Sequence, residues 1–253
     1  MGDYNPECYA VVDIETTLDH KTIHGAGITL FQRGQVIVSE WVTSPESLSN
    51  TLNGATHVVG HNLLGFDLPV LAEVWDFTLP PSVSVIDTLV MSRLANPSRD
   101  GGHSLRNLAI QCGLNQKQDF NVADFDGPIT DAMVEYCLAD TVANGDVFNM
   151  LRRELKDFST ESIDLEHAVA RETKVQESNG FKLDFPLACS IHTQHTARMK
   201  EIEQELQEVF PPIVEERWSE KTGKQLKDKV TIFNPGSRVQ VAERLSEKGA
   251  VWK

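Results

Sequence analysis

The nine residues Tyr9 to Thr17, YAVVDIETT, form an apolar run that ends in two acids. An unbroken run of this kind suits a strand buried on both faces, which requires other elements packed above and below it. Side chains of a strand alternate faces and advance about 3.3 Å per residue, so Asp13 and Glu15 share one face roughly 7 Å apart. Anions that close repel, and at the end of a buried strand they must be wetted or neutralised by something positive. A solvated strand end and a cation site both satisfy that demand, and the rest of the chain has to decide between them.

Composition narrows the choice. The net charge is -14 over 253 residues, which argues against a protein that grips nucleic acid through a broad basic surface. The acidity is concentrated in residues 1–160, while 161–253 are close to balance. A polyanion handled by the first part must therefore be met by bound cations or local contacts. At 40% hydrophobic and 24% charged, the chain suits one or two globular domains. No stretch approaches the ~20 apolar residues of a membrane span. The start MGDYNPEC carries acids where a signal peptide carries basic residues, so a cytoplasmic protein without membrane contact is expected. Cys8, Cys112, Cys137 and Cys189 are too scattered for a disulfide framework or a zinc site and read as reduced and structural.

Along the chain, TIHGAGITLF and VIVSEWV read as strands joined by a turn at Gln32, Arg33 and Gly34, an antiparallel meander. THVVG and SVSVIDT are further short strands. Helical patterns follow in FDLPVLAEVW, DTLVMSRLA, LRNLAIQC with Ser104 as N-cap and Gly113 at its end, and the long segment after Thr130. A meander followed by alternating strands and helices predicts an α/β domain, a mixed sheet covered by helices, over residues 1–159. Residues 160–253 change character. SIDLEHAVARETKVQES is an amphipathic helix ending at Asn179 and Gly180, and a long polar helix runs to Phe210 before Pro211 and Pro212. SEKTGKQLKDKV is a lysine-bearing loop or hairpin, and NPGSRVQVAERLSEKG a turn and a short helix.

Two further acidic motifs answer the first. Asn62 and Asp67 lie just past a short strand, with Asp67 at a helix start, where the helix dipole favours an acid in any case. Tyr136 and Asp140, four apart, share a helical face. In order and spacing, Asp13 with Glu15, Asp67 after Asn62 with Phe66 directly before it, and Tyr136 ahead of Asp140 resemble the DEDD, or DnaQ-like, exonucleases in their tyrosine branch. The sister branch has a histidine five residues before the last acid, where this chain has Glu135. The segments VIDTLVMSRL, GGHSLRNLA, LEHAVARETKVQESNGFKLD and FNPGSRVQVAERL are similar to the N-terminal part of family A DNA polymerases of short-tailed bacteriophages.

That resemblance implies a ribonuclease H-like fold for the first part, followed by an incomplete helical polymerase segment that leads into a thumb. It implies a proofreading 3′–5′ exonuclease that releases 5′-nucleoside monophosphates from single-stranded or frayed DNA 3′ ends, in the host bacterial cytoplasm if phage-encoded. Asp13, Glu15, Asp67 and Asp140 would hold two Mg²⁺ or Mn²⁺ ions, for which carboxylate oxygens are suitable hard ligands. Tyr136 would orient the attacking water. Asn62 and Phe66 would support the terminal nucleotide, and Leu18 would wedge against its base. A thioredoxin-recruiting insertion is not expected, because only about twenty residues separate Pro212 from TIFNP. Residues 161–253 would dock a separate polymerase subunit, pair with another copy, or move relative to the exonuclease domain, and the lysines of SEKTGKQLKDKV would hold duplex DNA behind the frayed end. Two other readings stay open: an exoribonuclease of the RNase D kind, and a non-catalytic module that holds DNA or a polymerase subunit.

Overall fold

The first apolar run becomes β1 (Cys8–Thr16), the central strand of a five-stranded sheet. On one side lie β2 (Ile23–Gln32), antiparallel to it, and β3 (Gln35–Val42), antiparallel in turn to β2. On the other side β4 (His57–Gly60) and β5 (Ser84–Asp87) run parallel to it, giving the order β3-β2-β1-β4-β5. The computed structural model describes Tyr4 and residues 6–114, 126–219 and 221–250.

Alternation along β1 feeds two cores, as its unbroken apolar run requires. Ala10, Val12 and Ile14 face one layer, where they join Leu48 of α1 (Pro45–Thr51) and Val70 and Leu71 of α2 (Asp67–Trp75). Tyr9 and Val11 face the other, built by α3 (Thr88–Ala95), α4 (Leu105–Gln111) and α5 (Asp131–Glu154) through Met91, Leu108, Val147, Phe148 and Leu151. Tyr9 stacks on Phe31 of β2 at 5.0 Å between ring centroids and takes the edge of Phe148 at 5.0 Å. Asp13 and Glu15, in phase with Tyr9 and Val11, are thereby aimed at the α5 layer.

The five-stranded sheet and its helices match the sequence reading except for one helix. α1 is only seven residues long and buries a single residue, Leu48, so it leaves no periodic trace. Its start is nonetheless written in Ser44, which accepts from the Ser47 N–H, and in Pro45 at the first turn.

The helix that opens the second part of the sequence, α6 (Thr160–Asn179), packs within the first of two compact units, 1–180 and 181–253. Its Ile163 and His167 are buried, and His167 Nε2 accepts the Asp87 N–H at 2.9 Å. The opposite ring nitrogen, Nδ1, faces the Ile163 carbonyl at 2.9 Å, so the ring is neutral with its proton on Nδ1. The Tyr4 hydroxyl donates to Asp164 at 2.9 Å.

The second unit consists of α7 (Phe185–Val209), a hairpin of β6 (Ile213–Trp218) and β7 (Gln225–Thr231), and α8 (Arg238–Glu247). Phe210 and Phe233 meet at 4.8 Å, and Arg244 donates to the Pro211 carbonyl at 2.6 Å. The lysine-bearing stretch read as a loop or hairpin supplies the turn and second arm. Its first arm, IVEERW, is half charged and follows two prolines, which conceals it from pattern reading.

One close approach sets the spacing between α5 and the sheet. A Cβ on Gly145 would lie 2.3 Å from Phe31 Cζ. Gly145→Ala should therefore lower stability by about 1–2 kcal/mol, overpacking outweighing the gain in helix propensity. Urea denaturation checks this, with Phe31→Leu expected to recover part of the loss in the double variant.

Candidate active site

The site begins where β1 outruns its parallel neighbour. β4 pairs only with Tyr9, Ala10 and Val11, so the strand beyond Val11 lacks a partner on that side. The Ile14 N–H instead donates to Asp67 Oδ1 at 3.2 Å. Asp67 is buried at the first turn of α2, where the helix N-terminus favours its charge. One hydrogen bond thus ties the second acidic motif to the strand that carries the first.

The loop before α2 is equally constrained. Asn62 has φ 61°, a left-handed conformation that asparagine tolerates better than most residues. Asp87 clamps this loop by accepting from the N–H groups of Asn62 and Leu64 at 3.0 Å each, and it also caps α3 through Leu89 N. Asn62 itself is exposed. Phe66, half-buried, meets the edge of His20 at 5.0 Å, and His20 lies in the turn that also carries the exposed Leu18. The Leu18 N–H donates to Asp126 at 2.9 Å. His20, which brings Phe66 and the Leu18 turn together, gave no signal in the sequence.

From the other layer, α5 starts with a Thr130 cap and presents Tyr136, Cys137 and Asp140. Opposite Asp13 on β2 stands Gly27, and a Cβ there would lie 2.8 Å from Cys137 Sγ. The missing side chain lets α5 come down until Cys137 Sγ lies 3.6 Å from Asp13 Oδ2. One turn on, Thr141 and Thr29 share a hydroxyl contact of 2.7 Å that pins the helix to the sheet.

The carboxylates feel one another. Burial pushes Asp13 up to about 7, with the Asp140 charge adding to the effect. Burial, then the charges of Asp13 and Asp140, push Glu15 up to about 8. Asp67 is raised well above the carboxylate range by burial and by Asp13. The Tyr136 hydroxyl is raised by burial, by the Asp140 charge and by its hydrogen bond to Asp140, so it stays protonated at neutral pH. The structure therefore brings Asp13, Glu15, Asp67, Tyr136 and Asp140 into one electrostatic cluster. Among the described residues no salt bridge neutralises Asp13, Glu15 or Asp67.

Such a cluster fits hard divalent cations. One oxygen each from Asp13 and Glu15 and the sulfur of Cys137 lie within 4.8 Å of one another. Cys137 differs in kind from its neighbours: burial and the adjacent carboxylates raise its thiol strongly, leaving it neutral and a poor ligand for Mg²⁺ or Mn²⁺. Its observed role is to donate to Asp13. Sequence reasoning treated Cys137 as ordinary core, and only its place one residue after Tyr136 marks it in retrospect.

Comparison with known proteins agrees with this architecture. The sequence profile of a family described as 3′–5′ exonuclease matches residues 6–156. Among solved structures, NrnC of Brucella melitensis is similar at 18% identity with a TM-score of 0.54, over 70% of this chain and 87% of that one. Exonuclease X in complex with 5′ overhanging duplex DNA is similar at 14% identity with a TM-score of 0.44, over 62% of this chain and 99% of that one. No curated protein matches the chain. The mixed five-stranded sheet flanked by helices is the ribonuclease H-like fold.

A pH signature follows from the raised carboxylates. Unfolded, they titrate near 4, and folded, Asp13 and Glu15 titrate at about 7 and 8. Below pH ~4 both states are protonated and nothing is lost; from there up to the folded values the unfolded chain gives up protons that the folded one keeps, so stability falls, and above them it levels off. In EDTA, the stability of wild type relative to Asp13→Asn should fall between about pH 4 and 8. Mg²⁺ added at pH 8 should raise the melting temperature of wild type and leave that of Asp13→Asn nearly unchanged.

Proposed function

From the premise that this chain belongs to the 3′–5′ exonuclease family, we propose that it hydrolyses the terminal phosphodiester of single-stranded or frayed DNA 3′ ends in a metal-dependent reaction, releasing 5′-nucleoside monophosphates. The observation that carries this reading is the set of raised carboxylates on β1 and α2, facing the Asp140 charge of α5, with no salt bridge to Asp13, Glu15 or Asp67 among the described residues. Asp13, Glu15, Asp67 and Asp140 are the residues that would hold two divalent ions. When bound, those ions supply an acidified water and charge neutralisation at the phosphate.

The protein's own groups do the rest. Asp13 is central because it is electrostatically linked to Glu15, Asp67 and Asp140 at once. Tyr136, held protonated against Asp140, orients the attacking water through its hydroxyl and is too weak an acid to serve as base. Asn62, Phe66 and Leu18 line the approach, with Phe66 and Leu18 linked through the His20 turn, which suits support of the last nucleotide and a wedge beside its base. Melting a terminal pair is cheapest when it is mismatched, so a site that accepts only unpaired ends prefers errors.

DNA is favoured over RNA by the resemblance of the chain to phage family A polymerases, of which it would be the proofreading part. The second unit suits a role in holding duplex DNA or a polymerase subunit. Its hairpin exposes Lys221, Lys224 and Lys227, and α7 exposes Leu187, Ile191 and Met199.

Labelled single-stranded DNA and RNA, each with and without Mg²⁺, test the reading directly. DNA should shorten from its 3′ end only with metal, and preferential shortening of RNA would favour the exoribonuclease instead. Asp13→Ala should lower turnover by more than about 10³-fold. Tyr136→Phe should lose about 10²-fold while its metal-induced gain in melting temperature persists. Replacing Lys221, Lys224 and Lys227 with Glu should leave hydrolysis of short single strands intact, weaken binding to primed duplex, and flatten its salt dependence.

A further inference from the structure

At the end of β1 opposite the acids, the first unit contains a second concavity, a cleft of about 840 Å³. On α5 its guanidinium groups, Arg152 and Arg153, stand twelve and thirteen residues past Asp140, which along a helix is roughly 18 Å. A phosphate held by these arginines lies out of reach of the acidic side chains. Three guanidinium groups, Arg33, Arg152 and Arg153, line the cleft against two carboxylates, Glu7 and Asp146. That local excess of positive charge lies in the most acidic part of a chain whose net charge is -14.

The fold does not call for an arginine at position 33. Arg33 and Gly34 form the two-residue turn between β2 and β3, with φ 51° and 79°. Asparagine is the residue such a turn prefers at its first position, and an arginine there is disfavoured by its Cβ. The Arg33 N–H donates to the Glu7 carbonyl at 2.7 Å, so the backbone is fixed whatever the side chain does. Its contact with the Glu7 carboxylate, 3.8 Å between two side chains that are 77% and 79% exposed, is a weak one. Arg152 is preset: its guanidinium lies 5.3 Å above the Phe148 ring and donates to Asn149 Oδ1 at 3.3 Å. Arg153 is exposed on the last turn of α5.

Planar guanidinium forks match phosphate oxygens in pairs, which is why arginine serves where phosphate is recognised. The remaining wall is mixed, apolar at Pro6, Cys112 and Met150 and carrying the amides of Gln111 and Asn149, and the volume lies within the range of small-molecule sites. A phosphate alone would leave that wall and most of the volume unused. We propose that this cleft binds a nucleoside phosphate, with the phosphate on the three arginines and the base against Pro6 and Met150. The inference stands independently of the exonuclease reading, although its ligand class includes the product of that reaction.

The test uses the full chain in EDTA, where neither hydrolysis nor metal-held nucleotide interferes. Calorimetric titration with dAMP, with inorganic phosphate and with a short single-stranded oligonucleotide separates the sources of phosphate. The nucleotide should bind at least tenfold more tightly than inorganic phosphate. Arg33→Asn combined with Arg153→Ala should weaken it at least tenfold, and Asp13→Ala should bind it as wild type does. Arg33→Asn, which suits the turn better, should keep or raise the melting temperature, so weaker binding cannot be ascribed to unfolding. Tighter binding of the oligonucleotide that is lost in the same variants would assign the site to phosphates of a strand, within the same chemistry. Absence of nucleotide binding at millimolar concentration, equal affinity for inorganic phosphate, or indifference to the arginine substitutions would overturn the proposal.

Discussion

Carboxylates that repel one another have to be held together by something stronger than their repulsion, and here that something is the sheet and its two layers. Asp13 and Glu15 cannot separate, because the residues between and before them are locked into opposite cores. Asp67 cannot retreat, because its oxygen takes an N–H of β1 beyond the last residue that β4 pairs. Asp140 is committed by α5, which Gly27 admits and the Thr29–Thr141 contact fixes. The cost shows as carboxyl groups that keep their protons far above the usual range. The core supports a cluster that is unfavourable by itself, as expected where rigid elements preorganise a charged site.

How much of this was legible depends on whether the cause was local. The strand, the alternation that puts Asp13 and Glu15 on one face, and the helical spacing of Tyr136 and Asp140 are repeats of two and of four, so the sequence displays them openly. The starts of two helices were legible as well, because Thr130 and Ser104 cap by chemistry that shows in one residue. What escaped was whatever depends on a neighbour distant in sequence. Cys137 reads as structural until Gly27 is seen opposite Asp13, and Asp87 reads as the junction of a strand and a helix until the N–H groups of Asn62 and Leu64 are found on its oxygens. α1 and β6 escaped for a different reason, being too short or too charged to produce a period. The resemblance to exonucleases bridged the three acidic motifs, and it offered no hint of the thiol beneath them.

The two ends of the first unit differ in character. At one end carboxylates converge where the backbone is tied by side-chain bonds to Asp67 and Asp87. At the other, arginines gather on a hairpin turn and a helix terminus. The same strand, β1, connects both ends, so its length fixes the separation between a region that attracts cations and one that attracts anions.

The bond from Asp87 N–H to His167 bears on where this protein can be cut. Profile similarity stops at residue 156, before α6 begins. Yet α6 supplies the imidazole that satisfies a buried amide in the residue clamping the Asn62 loop. A fragment trimmed to the limits of sequence similarity would strip that amide of its acceptor and bare the surface on which Ile163 rests, although every acidic residue would still be present. The smallest autonomous piece is therefore set by a histidine outside the recognisable family segment, and homology-guided boundaries would fall about one helix short.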